Sequence, residues 1–136
     1  MVAAPVAAAA IASNGTSTSN GTTAPHGAGR FCLITRRATF CASHRYWLPE
    51  LSAADNEARF GRCSGYPGHG HNYELVVTMA GPLDANGMVL NLSEVKHHIR
   101  RQVTEPLDFS FLNTTWPQLA SKLPCTEWLC HCIWQR

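Results

Sequence analysis

The stretch NYELVVTMAG, residues 72–81, constrains the fold of this chain more than any other segment. Its side chains alternate between two sets. Because successive residues of a strand point to opposite faces, this alternation predicts a β-strand. One set is Tyr73, Leu75, Val77 and Met79, and the other is Glu74, Val76, Thr78 and Ala80. Residues 31–43, FCLITRRATFCAS, alternate in the same way and predict an earlier strand.

Four further segments carry helix or turn patterns. SAADNEARF, residues 52–60, predicts a short helix, and Asn86-Gly87 predicts a turn from which MVLNL, residues 88–92, returns as a strand. Ser93 is expected to cap a helix that runs to about Thr104 and ends before Pro106. Its apolar face is Val95, Ile99 and Val103. A last helix is expected from Thr126, with an apolar stripe made of Leu129, Cys130, Ile133 and Trp134.

The composition divides the chain into a tail and one domain. Residues 1–29 contain no Asp, Glu, Lys or Arg and consist mainly of Ala, Ser, Thr, Gly, Asn and Pro. Such a segment buries too little surface to offset the entropy of ordering it, so we expect a disordered, dispensable tail. Folded sequence is expected over residues 30–136, a length that suits a single domain.

Charge and hydropathy exclude some classes of function. The formal net charge is +2, without a long basic run, which argues against a nucleic-acid partner. No apolar run reaches the roughly 18 residues of a membrane span. The N-terminal segment lacks the positive start of a signal peptide and the arginines of a transit peptide. A cytoplasmic location is therefore expected.

The segment GRCSGYPGHGHNYE, residues 61–74, carries the candidate chemistry. His69 and His71 are two residues apart where the loop enters the strand, so both imidazoles can face one point. Zinc favours nitrogen ligands, and its catalytic sites use three protein ligands. His44, at the end of the earlier strand, is the natural third ligand. An isolated His-Gly-His, however, is more often ordinary surface, and a lone cysteine such as Cys63 is more often a small buried side chain.

Family resemblance favours the metal site. From Arg36 to Trp134 the chain resembles the 6-pyruvoyltetrahydropterin synthase and 6-carboxytetrahydropterin synthase family. The segments that carry the resemblance are RRATFCASHRYW, LSAADNEARFGRCSGYPGHGHNYE, DANGMVLNLSEVK, the PLD of residues 106–108, and CTEWLCHCIW. The spacing Cys-x5-His-Gly-His, preceded by His44, is the most specific part of the pattern.

The resemblance implies a T-fold, an α+β fold in which two helices pack on one face of an antiparallel sheet. It implies homo-oligomers, either trimers or hexamers. It also implies a catalytic zinc ion on His44, His69 and His71, with Cys63 as the general base or acid. The implied substrate is the small molecule 7,8-dihydroneopterin triphosphate. One branch of the family makes a 6-pyruvoyl product, and the other, in queuosine-type biosynthesis, releases acetaldehyde and makes a 6-carboxy product. The spacing from Cys63 to His69 resembles the pyruvoyl branch.

The chain departs from the family pattern in two places. Where members usually read Leu-Asp-His, with the last two residues relaying the proton of the cysteine, this chain keeps Asp108 but has Phe109. It resembles in this respect the first unit of fused, two-unit bacterial members. The final strand, with its pterin-anchoring glutamate, is also missing, so the chain is expected to be C-terminally short. Thr126 and Glu127 match a motif beside the pterin pocket and are expected to bind substrate.

Three hypotheses follow from these observations. The first is an active zinc-dependent lyase of pterin metabolism. The second is a catalytically weakened zinc-binding T-fold unit that supports assembly, because phenylalanine cannot carry a proton. The third is a structural or pterin-binding module without metal. Zinc content separates the third hypothesis from the others, and turnover of dihydroneopterin triphosphate separates the first from the second.

Overall fold

A computed structural model describes residues 6–12 and 31–136 of the chain. Most of the secondary structure lies in two long strands and three helices of eight or nine residues. The strands are β1 (Val6–Ala12), β2 (Phe31–His44), β3 (His69–Pro82) and β4 (Ser110–Phe111). The α-helices are α1 (Ala53–Phe60), α2 (Leu92–Ile99), α3 (Glu105–Leu107), α4 (Leu112–Thr115), α5 (Pro117–Ala120) and α6 (Thr126–Trp134), with a 3-10 turn at Gly61–Ser64 and a π-helical segment at Arg100–Thr104.

The sheet is built around the antiparallel pair of β2 and β3, which is in register from Phe31 opposite Pro82 to His44 opposite His69. The strand order is β1-β3-β2-β4. Both outer strands run parallel to their neighbours, β1 beside β3 and β4 beside β2. The central pair is antiparallel, as the resemblance implies, but both edge strands run parallel to their neighbours, so the sheet as a whole is mixed.

The core confirms the predicted alternation of β3. Its large apolar set is buried, and Phe40 of β2 stacks on Tyr73 with ring centroids 5.0 Å apart. Ile99 and Val103 pack against this face from the α2 region, and Leu129 and Ile133 do so from α6. This α+β arrangement, with helices on one face of the sheet, is the predicted fold class. The stripe of α6 differs at its end, where Cys132 is buried and Trp134 is 46% exposed.

The helix boundaries differ from the predictions between residues 88 and 107. MVLNL does not form a strand, and the side chain of Asn91, rather than that of Ser93, caps α2 by accepting a hydrogen bond from the Ser93 N–H at 3.0 Å. Asparagine is among the preferred N-cap residues, so the helix begins directly after Asn91, earlier than expected. Pro106 lies within the continuous helical run of residues 92–107 instead of beyond it, directly after the π-helical segment Arg100–Thr104. None of the helices in the described chain has the length and apolar character needed to cross a bilayer.

The expected disordered tail contains a strand. Residues 6–12 form β1, which pairs with β3 from Val6 opposite Glu74 to Ala12 opposite Ala80. An unpaired strand edge exposes a row of backbone donors and acceptors, and β1 satisfies those of β3. Over residues 6–12 the structure therefore differs from the expectation, while residues 1–5 and 13–30 lie outside the described residues. The boundary between tail and domain stays a prediction.

Candidate metal centre and cysteine loop

Three histidines meet at the end of the central strand pair. His44 is the last residue of β2 and lies opposite His69, the first residue of β3. His71 follows two residues later on the same side of β3, as the spacing predicted. One ligand nitrogen from each ring lies within 4.8 Å of the other two. The structure thus brings together the three predicted metal ligands.

One nitrogen–nitrogen distance in the cluster is close to that expected at a tetrahedral metal ion. His71 Nε2 and His44 Nε2 are 3.1 Å apart. Two ligands on one zinc ion with bonds of about 2.1 Å would be about 3.4 Å apart. His44 Nδ1 lies 3.2 Å from the carbonyl oxygen of Pro124, to which the protonated form of this nitrogen donates. That hydrogen bond leaves the lone pair of Nε2 directed at the cluster, as in known metal-binding histidines.

The electrostatics of the cluster keep the His44 and His71 rings in the form that binds metal. Burial, followed by the charges of His69 and His71, lowers the pKa of His44 to about 4. Burial and His69 also lower the pKa of His71. Both rings are therefore neutral at pH 7, and a metal ion binds only neutral imidazole. The donor set of three nitrogens suits zinc and leaves a fourth position for water or substrate.

The candidate catalytic cysteine lies beside this cluster. Cys63 is in the 3-10 turn after α1, and its Sγ is 4.0 Å from His69 Nε2. The turn is tied to the end of β2, because the Tyr46 N–H donates to the Cys63 carbonyl at 2.8 Å and Arg45 Nε donates to the Ser64 carbonyl at 2.6 Å. The cysteine is thus held next to the metal ligands by bonds to the residues that follow His44.

Gly68 allows the loop to return to the strand. Its φ is +110°, and a Cβ at this position would lie 2.5 Å from the His44 carbonyl oxygen. Only glycine accepts both this backbone conformation and this close approach. The sequence Gly-His-Gly-His therefore has a structural reason as well as a chemical one.

Among the described residues, no hydrogen bond joins Asp108 or Phe109 to Cys63. The Asp108 carboxylate accepts a hydrogen bond from the Cys41 N–H at 2.8 Å, and the Phe109 N–H donates to the Cys41 carbonyl at 2.6 Å. These bonds fasten the segment to β2. Phe109 is 89% exposed and has a φ of +52°. It lines a cavity of about 410 Å³ that also includes His71 and Asn72.

Thr126 and Glu127 open α6, as predicted. Glu127 is exposed, and a hydrogen bond from its own backbone N–H, with one from the Cys125 side chain, lowers the pKa of its carboxyl group. It borders a cavity of about 500 Å³ together with Lys122 and Trp128. The carboxylate is thus ionised and accessible, as a residue that binds a small polar ligand needs to be.

The sequence analysis did not identify Tyr46 as a residue of the candidate site. Its ring packs edge-on against His44, with centroids 4.8 Å apart. Burial, then the neighbouring Cys125, Cys63 and Glu127, raise the pKa of its phenol, so it keeps its proton at neutral pH. Tyr46 therefore connects the surroundings of Cys63 with those of Glu127. The sequence could have indicated Tyr46 by its position two residues after His44, because residues i and i+2 of an extended chain lie on the same side.

Fold and site together define an α+β protein with a cluster of three histidines at the end of a strand pair that could hold a metal ion. Comparison with known proteins gives the family. Residues 33–136 match the model of the family described as 6-pyruvoyl tetrahydropterin synthase, and the chain belongs to that family.

Individual relatives agree with this assignment. The chain is 41% identical over 111 residues to the 6-pyruvoyl tetrahydrobiopterin synthase of Pongo abelii and 40% identical over 111 residues to that of Homo sapiens. Each alignment covers 79% of this chain and 77% of the relative. The solved structure of Caenorhabditis elegans 6-pyruvoyl tetrahydropterin synthase superposes with a TM-score of 0.72 at 27% identity, covering 79% of this chain and 76% of that one. The T-fold implied by the resemblance is thereby confirmed.

Proposed function

We propose that this chain is a zinc-dependent lyase that converts 7,8-dihydroneopterin triphosphate to 6-pyruvoyl tetrahydropterin with release of triphosphate. The observation that carries the proposal is the cluster of His44, His69 and His71 with the Cys63 thiol 4.0 Å from one of its nitrogens. Membership of a family of pterin synthases supports the substrate class. The relatives named above support the pyruvoyl branch over the carboxy branch.

Each residue has a distinct role in this reaction. His44, His69 and His71 would hold the zinc ion, which when bound polarises substrate oxygens and makes the adjacent C–H bonds more acidic. Cys63 takes protons from, and returns them to, the substrate side chain at its Sγ. Thr126 and Glu127 hold the polar edge of the pterin.

The role of Asp108 rests on the family pattern. Its carboxylate is bonded to the backbone of β2, so a relay to Cys63 of the same chain requires an intervening group. A homo-oligomer, trimer or hexamer, and a cytoplasmic location complete the proposal. The oligomer is what the family resemblance implies, and the location is the expectation from the sequence; light scattering of the purified protein tests the oligomeric state.

Turnover tests the proposal directly. The zinc-loaded protein is incubated with 7,8-dihydroneopterin triphosphate, and the products are separated by chromatography and identified by mass. We expect a 6-pyruvoyl product; a 6-carboxy product with acetaldehyde would assign the chain to the other branch. Replacing Cys63 with Ala should lower the rate by about 10² to 10⁴. Cys32→Ala, at the far end of β2, is the matched control and should leave the rate unchanged.

One observation favours the second hypothesis, a catalytically weakened unit that supports assembly. Phe109 occupies the position of the family histidine, is 89% exposed, and cannot carry a proton. If the zinc-loaded protein binds the substrate without turning it over, this hypothesis replaces the first.

A further inference from the structure

A second cavity adjoins the metal centre, and none of the roles above uses it. Its volume is about 750 Å³, and it extends from His69 along the end of β2 to Trp47 and Tyr66. His69 thus belongs to both the metal cluster and the wall of this cavity. A substrate held at the metal therefore has room to extend into it.

Arg45 is the charged group of this cavity, and the fold holds it firmly. Its backbone N–H donates to Asn113 Oδ1 at 2.9 Å, and Asn113 Nδ2 donates to its carbonyl at 2.8 Å. Its Nε donates to the Ser64 carbonyl. Its Cζ lies 3.9 Å from the ring centroid of Trp47 and 5.9 Å from that of Tyr66. The plane of the guanidinium is fixed by these contacts.

The terminal amines of Arg45 remain available to a ligand. Among the described residues, its side chain has no carboxylate partner, and the one hydrogen bond it donates uses Nε. A fixed guanidinium presents parallel N–H donors that match the oxygens of a phosphate group. The guanidinium also covers one face of the Trp47 ring. The charged group of the cavity therefore suits an anion.

We propose that this cavity binds a polyphosphate through the terminal amines of Arg45. The ligand is either the triphosphate tail of the substrate or the triphosphate that the reaction releases. This inference rests on the proposed function for the identity of the substrate, but the anion site itself is a property of Arg45 and its neighbours.

Calorimetric titration with inorganic triphosphate tests the site without requiring catalysis. The unchanged chain should bind this probe, more weakly as salt concentration rises. Arg45→Gln should weaken binding by about tenfold or more, because a charge-assisted contact is lost. Arg59→Gln is the matched control, since Arg59 is an exposed arginine over the Phe60 ring on α1, outside the cavity. It should bind like the unchanged chain.

Further measurements separate a binding effect from a folding effect. Thermal melting and zinc content show whether Arg45→Gln keeps its fold. If Arg45→Gln does not fold, Arg45→Lys is used in its place. Arg45→Lys should bind triphosphate several-fold more weakly than Arg59→Gln, because lysine lacks the paired N–H donors of a guanidinium. The inference is overturned if the folded Arg45 variant and Arg59→Gln bind inorganic triphosphate with equal affinity. It is also overturned if the unchanged chain does not bind inorganic triphosphate.

Kinetics distinguish the two sources of the ligand. If the site holds the substrate tail, Arg45→Gln should raise KM for dihydroneopterin triphosphate; if it holds the released product, the variant should relieve inhibition by added triphosphate with KM unchanged. Either result supports the site. Triphosphate binding that depends on Arg45 in a chain without turnover would retain the anion site while rejecting the lyase function.

Discussion

The side-chain amide of Asn113 closes two hydrogen bonds on the backbone of Arg45, one to its N–H and one to its carbonyl. These bonds attach α4 to the residue that follows His44. The end of β2 is thus fixed from a distant part of the chain, in the way that a neighbouring strand would fix it. The candidate metal ligand His44 and the candidate anion-binding Arg45 therefore share one support.

Asn113→Asp should weaken this support while preserving the shape of the side chain. Aspartate still accepts from the Arg45 N–H, but it cannot donate to the carbonyl. We expect the free energy of unfolding to fall by about 1–3 kcal/mol, the typical cost of leaving such a group unsatisfied. Chemical denaturation measures the change. Gln135→Glu, an amide-to-acid change at the exposed C-terminal end of α6, is the control, and an equal effect of the two substitutions would show that the bonds are unimportant.

His69→Ala should severely reduce zinc binding. Loss of a direct ligand should cost more than the 10- to 100-fold that is typical of indirect partners, so we expect the affinity to fall by at least about 100-fold. Equilibrium dialysis followed by metal analysis gives the value. His97→Ala removes an exposed histidine from α2 and should retain a full equivalent of zinc. Full occupancy in His69→Ala would mean that the site is wrongly assigned.

The metal-free protein should lose stability as pH falls below 6.5. The pKa of His44 is about 4 in the folded chain, against 6.5 for an ordinary histidine. Between these values the unfolded chain binds a proton that the folded chain does not, so the free energy of unfolding decreases as pH falls. Above pH 6.5 this group has no effect.

Between pH 6.5 and pH values below 4, the free energy of unfolding should fall by about 3 kcal/mol. Denaturation in the presence of a chelator at several pH values measures it. His44→Gln removes the titrating group and should show a shallower dependence. The same slope in both proteins would contradict the prediction.

The sequence predicted those parts of the fold that local periodicity governs. The alternation of β3 indicated the buried set that includes Leu75 and Met79, and the i, i+2 spacing of His69 and His71 indicated the paired ligands. Strand pairing with β1 was missed because an alanine-rich segment shows no contrast between its faces. The position of Asp108 was missed for another reason. Residue type identifies a carboxylate, but only the tertiary structure shows that it bonds to the Cys41 backbone.

Removal of residues 1–29 should be harmful, contrary to the expectation from composition. A chain that begins at Arg30 lacks β1 and leaves the outer edge of β3 unpaired from Glu74 to Ala80. We expect a lower melting temperature and increased self-association through the bare edge. Thermal melting and light scattering measure both. A chain that begins at Val6 keeps β1 and serves as the control, and identical behaviour of the two shortened chains would support a dispensable tail.

Phe109→His should raise turnover of dihydroneopterin triphosphate by at least about tenfold, because a positioned acid–base group typically contributes about 10² to 10⁴ in rate. The site should tolerate the change. Phe109 is 89% exposed, so little packing is lost, and histidine accepts a positive φ such as its +52° more readily than most residues do. The new imidazole would border the cavity that contains His71.

Phe109→Asn is the matched control for this substitution. Asparagine suits the same backbone conformation but cannot accept or release a proton at neutral pH, so it should leave turnover unchanged. Steady-state rates of the three proteins are compared at equal zinc occupancy, since a change in metal content would imitate the effect. A gain in both variants would point to relief of backbone strain rather than to proton transfer. If Phe109→His brings no gain and the unchanged chain already works at the rate of its relatives, then Asp108 or a water molecule performs the relay and the chain is not a weakened unit.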